Sequence, residues 1–418
     1  MLLMGEVVMS EKPIIIIGTG LAGYNLAKEL RKIDHNIKLQ LFTTDNGNYY
    51  SKPMLSNAFT QGKAASELVI ADAEKMRQQL KADIFTETEV NGIDMQQQYI
   101  IANNQCYPYS KLVFACGASQ IRPPITGNAV SEACSINNLL QYAQFRERLK
   151  SKQRIAIIGA GFIGCEFAND LNNVGFKVSV IADSPYPLNN LIPECAGKVL
   201  QLALTNKGIA WHFRKTVTCI DKDSLDQYRI TLNDGNMIYA DNVLLSIGLR
   251  ANTKLAAMAG ISVNHGIITD SFLETSAKNV YAIGDCAEIE GKMRQFVAPI
   301  NYCIKALSQT LLDRKTEIHF PHMPIVVKTP TCPMLIVSPA QTDIGEWCVE
   351  ADGINTKMTF CDDAKQLTGF VLTGNKVTSE RQTLLAQLPV CKPKSASQRN
   401  QPSPRVPASV GRVCCSVK

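Results

Sequence analysis

The chain alternates short apolar runs with glycine turns and amphipathic stretches. Residues 13–17 (PIIII) form an apolar run of strand length, and GTGLAG then leads into LAKELRK, where apolar residues recur at helical spacing. The pattern predicts strand, tight loop, helix. Residues 154–158 (RIAII), followed by GAGFIG and CEFANDL, repeat it, with Gly18 and Gly159 standing 141 positions apart. A further strand-like run closes each copy: IKLQLF ends in Thr43-Thr44-Asp45, and KVSVI ends in Ala182-Asp183. VYAI, within TSAKNVYAIGDCAE (275–288), runs into Gly284-Asp285 and is expected to be followed by a helix. LVFACGA and LLSIGL each read as a strand ending in a glycine turn, suited to a crossing between an outer domain and an inserted one.

A single GxGxxG is weak evidence, but two copies in a strand-to-helix setting carry weight. Gly18 and Gly159 are expected to make the tight turn, Gly20 and Gly161 to let a pyrophosphate approach the backbone, and Gly23 and Gly164 to let the helix pack close to the sheet. The phosphates then lie at a helix N-terminus, whose unpaired N–H groups favour negative charge. Asp45 and Asp183 are the candidates for the carboxylate that bonds a ribose, each displaced by a residue or two from the usual spacing. No arginine or lysine occurs from 182 to 197, so nothing local holds a 2′-phosphate, which favours NADH over NADPH. Asp285, at a strand end, is placed to accept from the hydroxyls of a bound flavin chain.

Composition narrows the picture. With 418 residues, 45% hydrophobic and 19% charged, the chain can bury two or three cores. No apolar run approaches membrane-spanning length, and MLLMGEVVMSEK lacks a basic start followed by an apolar core, so a cytoplasmic protein is expected. The net charge of +6 resides in residues 391–418, which hold Lys392, Lys394, Arg399, Arg405, Arg412 and Lys418 and no acid. The remainder is balanced, so nothing in the charge points to nucleic acid, and the Pro- and Ser-rich tail is expected to be disordered. The 14 cysteines contain no CxxC and read as reduced, mostly buried thiols. His319 and His322 lack an evident third ligand and read as surface residues rather than a metal site.

GTGLAG (18–23), LVFACGA (112–118), GAGFIGCEFAND (159–170), LLSIGL (244–249) and TSAKNVYAIGDCAE resemble the FAD-dependent pyridine nucleotide oxidoreductases. Within them NYYSKPMLSNAF, GCEFANDL and HMPIVVKTPTCPM most resemble the rubredoxin–NAD(+) reductases, which feed rubredoxin in bacterial alkane hydroxylation. The resemblance implies an α/β fold with two Rossmann-like dinucleotide-binding domains plus a small C-terminal α+β domain. FAD binding is implied for 1–117 and 245–322, NADH binding for 118–244, and a separate domain for 323–390, ahead of the basic tail 391–418. It assigns Gly18, Thr19, Gly20, Leu21, Ala22, Gly23, Asp45 and Asp285 to FAD, with Val90 and Val297 as backbone contacts. Gly159, Gly161, Gly164, Asp183 and Gly248 fall to the nucleotide sites. It also puts Lys52 near the flavin, Glu166 by the flavin and nicotinamide with Lys52 as its possible partner, and Lys328 near the flavin. ACGA departs from the commoner ATGA by Cys116 in place of threonine, which exchanges a hydroxyl for a thiol.

Residues 46–60 lack the cysteine pair through which related disulfide reductases pass electrons, and the remaining cysteines show no close spacing to replace it. Flavin takes up two electrons as hydride and can release them one at a time, which suits a one-electron iron acceptor, and the resemblance implies that this acceptor is rubredoxin. The rivals are a flavorubredoxin or ferredoxin reductase and, from another class, a redox sensor that keeps FAD and NADH as structural ligands.

Overall fold

The computed structural model describes residues 12–149, 153–340 and 342–389, together with the backbone of Val413–Cys415. The described residues form two units: one gathers 12–51 with 69–119 and 250–320, the other 52–68 with the described parts of 120–249 and of the chain after 320.

In the first unit Ile14–Ile17 lies inside a five-stranded parallel sheet, ordered Val280–Ala282, Lys111–Phe114, Ile14–Ile17, Leu39–Phe42, Asp83–Phe85. A run of four isoleucines suits that position, since an interior parallel strand is covered on both faces; all four are buried. Helix Leu21–Ile33 packs Ala22, Leu26, Ala27 and Leu30 inward, at the spacing expected from the sequence. The second unit repeats the scheme. Its parallel sheet runs Asn242–Leu245, Arg154–Ile158, Lys177–Ala182, Ala210–Phe213, so each glycine loop leaves an interior strand flanked by the same two kinds of neighbour. Each unit also carries a three-stranded antiparallel meander, Val90–Asp94 to Gln105–Pro108 in the first and Val217–Lys222 to Met237–Ala240 in the second.

The C-terminal part of the second unit is an antiparallel sheet of Ile325–Val327, Met334–Val337, Leu367–Thr373, Lys357–Asp362 and Gly345–Glu350, backed by the helix Arg381–Gln387. Of the tail expected to be disordered, Val413–Cys415 departs from that expectation: it pairs parallel with Trp347–Val349. An edge strand offers unpaired N–H and C=O groups, and the apolar triplet Val-Cys-Cys can take them up. The rest of 391–418 lies outside the described residues. A second departure concerns Gly284-Asp285. A 3-10 turn, Gly284–Cys286, leads into a strand, Ala287–Ile289, and the helix begins only at Val297. Ala287–Ile289 pairs with Ile267–Thr269 and is buried, its Glu288 accepting from Asn264 Nδ2 and Gly266 N, which delays the helix. Among the described residues no helix is long and apolar enough to cross a membrane.

The third glycine of each loop tolerates no side chain. A Cβ at Gly23 would lie 1.9 Å from the Gly18 carbonyl oxygen, and one at Gly164 would lie 2.0 Å from that of Gly159. Replacement of Gly164 by alanine is therefore expected to lower the unfolding free energy by about 1–3 kcal/mol. Gly161→Ala, where nothing lies within 4 Å, should change it by less than about 1 kcal/mol. Urea unfolding of the two variants separates these outcomes.

Candidate active site and nucleotide cradles

Both glycine loops present the same backbone surface. Gly18 has φ of +114° and Gly159 of +109°, and a Cβ on either would collide with the backbone of a neighbouring strand end, Ala115 O at 2.3 Å and Ser246 O at 2.4 Å. The second glycines, Gly20 and Gly161, face open space to 4 Å. They are the N-caps of helices Leu21–Ile33 and Phe162–Asn173, and neither helix receives a side-chain cap. Helices Ala73–Leu80 and Leu139–Arg148 differ, since Asp72 and Asn138 accept from the N–H groups at their starts. Two uncapped helix starts behind a glycine that leaves room for an anion fit the pyrophosphates of FAD and of NADH.

Around the first cradle Thr19 and Ala22 are buried and Leu21 is half-buried. Asp285 follows Gly284, whose φ is +80° and whose Cβ would meet Ala22 Cβ at 2.9 Å, so this carboxylate is held beside the loop. Asp45 is exposed, and its Oδ1 accepts from Thr43 Oγ1 at 2.8 Å and from Gly47 N at 2.9 Å in a small turn. Tyr24, on the loop's helix, donates to Gly47 O at 2.6 Å. Burial, with help from the Asp45 charge, pushes its phenol up to about 12. Val90 is buried at the start of a strand, and Val297 begins the helix Val297–Leu311 with its side chain exposed.

Around the second cradle Asp183 is exposed at the end of Lys177–Ala182, and Gly248, with φ of +110°, accepts from Ile121 N at 3.1 Å. No arginine or lysine lies between residues 182 and 197 along the chain. In space Arg214 N donates to Ser184 O and Lys215 N to Ala182 O, each at 3.0 Å, so two cations reach this strand end from thirty residues away. Lys215 is ion-paired with Asp234. The Arg214 charge is felt by Glu194, whose carboxyl is held low mainly by its hydrogen bond from Lys198.

The densest polar cluster belongs to helix Phe162–Asn173. Glu166, Asn169 and Asp170 stand at i, i+3 and i+4, on one face of the helix, and all three are buried. Glu166 Oε2 accepts from Ser56 Oγ at 2.6 Å and ion-pairs with Lys328 Nζ at 2.9 Å; Oε1 accepts from Lys328 N at 2.9 Å. Lys328 Nζ also donates to Ser56 Oγ at 2.8 Å and to the Pro53 carbonyl. Lys328, 162 residues further along the chain, is thus a cation of Glu166, where the resemblance offered Lys52 as a possible partner. Asp170 accepts from Phe59 N at 3.0 Å and Thr60 N at 2.8 Å. Burial raises its carboxyl, opposed by these donors. Asn169 bonds Thr331 through both ends of its amide, at 2.9 and 3.2 Å. Phe59 completes the anchorage, edge-on to Tyr142, Phe145 and Phe176 at centroid distances of 5.3, 6.0 and 6.5 Å. Lys52 opens the 3-10 helix Lys52–Asn57 within this anchored stretch.

The cysteines differ from expectation in two ways. Among those described only Cys165, Cys286, Cys303 and Cys332 are buried, the others being half-buried or exposed. Cys116 and Cys286, 170 positions apart, each follow the end of one of two adjacent parallel strands. Among the described residues no group of His, Cys, Asp and Glu is disposed to hold a metal ion.

Paired Rossmann-like units with matching glycine cradles define a two-dinucleotide oxidoreductase. The profile of the pyridine nucleotide-disulphide oxidoreductases matches residues 12–301, and the chain belongs to that family. A second profile, the rubredoxin binding C-terminal domain, matches residues 317–388. The chain is 41% identical to the rubredoxin-NAD(+) reductase of Alcanivorax borkumensis, over 91% of its own length and all of that protein. It is 36% identical to the nitric oxide reductase FlRd-NAD(+) reductase of Aliivibrio fischeri, over 87% of its length and 96% of that protein. Its fold is that of putidaredoxin reductase in covalent complex with putidaredoxin, with a TM-score of 0.81 and 20% identity over 90% and 94% of the two chains.

Removing the partners of the helix face has a graded cost. Glu166→Gln, which keeps the volume and loses the charge, is expected to destabilise by about 1–3 kcal/mol. Phe59→Ala should cost about 3–5 kcal/mol. Chemical unfolding measures both, and limited proteolysis should then cut first within 52–68. Wild-type resistance of that segment in the Phe59 variant would disprove the anchorage.

Proposed function

We propose that this chain is an NADH-dependent flavoprotein that delivers electrons to rubredoxin. The observation that carries the reading is the union, in one chain, of two phosphate cradles with a C-terminal module matching the rubredoxin binding domain. FAD, when bound, supplies the conversion of a two-electron hydride donor into a one-electron source, so each NADH serves two rubredoxins in turn. The chain's residues bind and orient. Gly18, Thr19, Gly20, Leu21, Ala22 and Gly23 offer the FAD pyrophosphate an uncapped helix start, Asp285 and Asp45 bond its sugar hydroxyls, and Val90 and Val297 lend backbone contacts. Gly159, Gly161, Gly164 and Gly248 form the NADH cradle, and Asp183 bonds the adenosine ribose while repelling a 2′-phosphate. Lys52, Lys328 and Glu166 set the electrostatics of the redox centre, since a fixed cation stabilises negative charge that develops during hydride uptake. FAD falls to 1–117 with 245–322, NADH to 118–244 and rubredoxin to 323–390. A cytoplasmic location is part of this reading, in keeping with the free thiols of the described cysteines.

Steady-state reduction of purified rubredoxin by NADH is the direct test, with a flavorubredoxin's rubredoxin domain and a ferredoxin as competing acceptors. Rubredoxin is expected to be reduced fastest, and NADH to be preferred to NADPH. Faster reduction of the flavorubredoxin domain would move the assignment to the class of the Aliivibrio relative. Flavin bleaching by NADH that takes minutes would instead support a sensor.

A further inference from the structure

The strand end beside the second cradle carries one uncommitted charge of each sign. Lys177–Ala182 and Ala210–Phe213 run parallel with Ala182 opposite Phe213, so Asp183 and Arg214 are each the first residue beyond two neighbouring strands. Arg214 N donates to Ser184 O at 3.0 Å, which fixes its backbone beside the candidate ribose carboxylate. Both side chains are exposed. The neighbouring charges are taken up: Lys215 ion-pairs with Asp234, and Glu194 with Lys198 at 2.8 Å. Among the described residues no ion pair or side-chain hydrogen bond engages Asp183 or Arg214. Arg214 also has φ of +56°, in the left-handed region that glycine occupies without steric cost. A long cationic side chain stands where the backbone favours none, and such an outlier marks a residue with a task.

We propose that Arg214 is a specificity-determining residue of the dinucleotide site: it takes the 2′-phosphate of NADPH and so admits that molecule as a second, poorer donor beside NADH. The inference rests on the reading of the second cradle as the NADH site. A guanidinium matches two phosphate oxygens at once, through charge-assisted hydrogen bonds that an unphosphorylated ribose does not offer. Asp183 opposes it, since its carboxylate suits the ribose hydroxyls and repels a phosphate at the same place. Discrimination between the two dinucleotides is the difference between these effects, so it is milder than a lone carboxylate would enforce. The cation that is missing along 182–197 is thus supplied by the next strand.

The FAD-loaded full chain and its Arg214→Gly variant, in which glycine suits the φ of +56°, are titrated calorimetrically with adenosine 2′,5′-bisphosphate and with AMP. In parallel, kcat/KM is measured for NADH and NADPH with ferricyanide as acceptor, so that the result does not depend on which iron protein the chain serves. Arg214→Gly is expected to weaken the bisphosphate about tenfold relative to AMP and to raise the NADH-to-NADPH ratio of kcat/KM by about the same factor. A merely structural role would move both ligands together. Asp183→Asn should shift the ratio towards NADPH, and adding Arg214→Gly to it should reverse the gain. Lys215→Met removes an equal charge that is already paired with Asp234, and should shift the ratio far less. A ratio that Arg214→Gly leaves unchanged, or that Lys215→Met shifts as far, would overturn the proposal while leaving the NADH site in place. Wild-type protein that binds neither AMP nor NADH would overturn that site and the inference with it.

Discussion

A buried carboxylate on one helix face holds the second unit together. Glu166 is 3% exposed, and an unpaired charge at that depth would cost several kcal/mol. It is tolerated because both oxygens are used, by a hydroxyl, a backbone N–H and an ammonium. Those donors come from two distant positions, Ser56 and Lys328, so the electrostatic need of one side chain ties together both stretches. Asn169 and Asp170 extend the same logic one turn further, to 331 and to 59–60. The helix that makes these bonds starts at the uncapped Gly161. A rigid helix thus carries the anion-receptive end of the second cradle at one terminus and the attachment of two other chain segments along its side.

The two cradles were legible in the sequence because their causes are local. A glycine that must adopt positive φ, followed by one that must leave room and one that must let a carbonyl pass, leaves a spacing that can be read directly. The four-isoleucine strand was equally plain, since an interior parallel strand requires an unbroken apolar run. The helix after Gly284 was misjudged for a related reason. The triplet Ala287–Ile289, with Glu288 at its centre, is compatible with either element, and only its pairing with Ile267–Thr269 decides for a strand.

The partners of the charged residues were not legible. Nothing in the spacing of Glu166 and Lys328 announces that they meet. The same holds for Arg214 and Lys215, which reach the end of Lys177–Ala182 through the neighbouring strand Ala210–Phe213. Cys116 and Cys286 come to follow neighbouring strand ends for the same reason, since parallel strands far apart in sequence end side by side. One signal was visible for the last pair: Cys116 stands where threonine is commoner in the family, an exchange that keeps size and changes chemistry.

The stretch 48–60, in which a disulfide reductase would carry its cysteines, has a physical occupation of its own here. Ser56 is committed to Glu166 and Lys328, the N–H groups of Phe59 and Thr60 to Asp170, and the Phe59 ring to three aromatic neighbours. A cysteine pair that shuttles electrons must open and close, with sulfur exposed to a second substrate. A segment whose side chains and amides are bound on both sides by a buried helix face is poorly suited to that movement. Electrons bound for an iron protein need no such movement, because a one-electron transfer forms and breaks no bond with the acceptor. The rigidity of the segment and the loss of its sulfur are thus consequences of the same choice of acceptor.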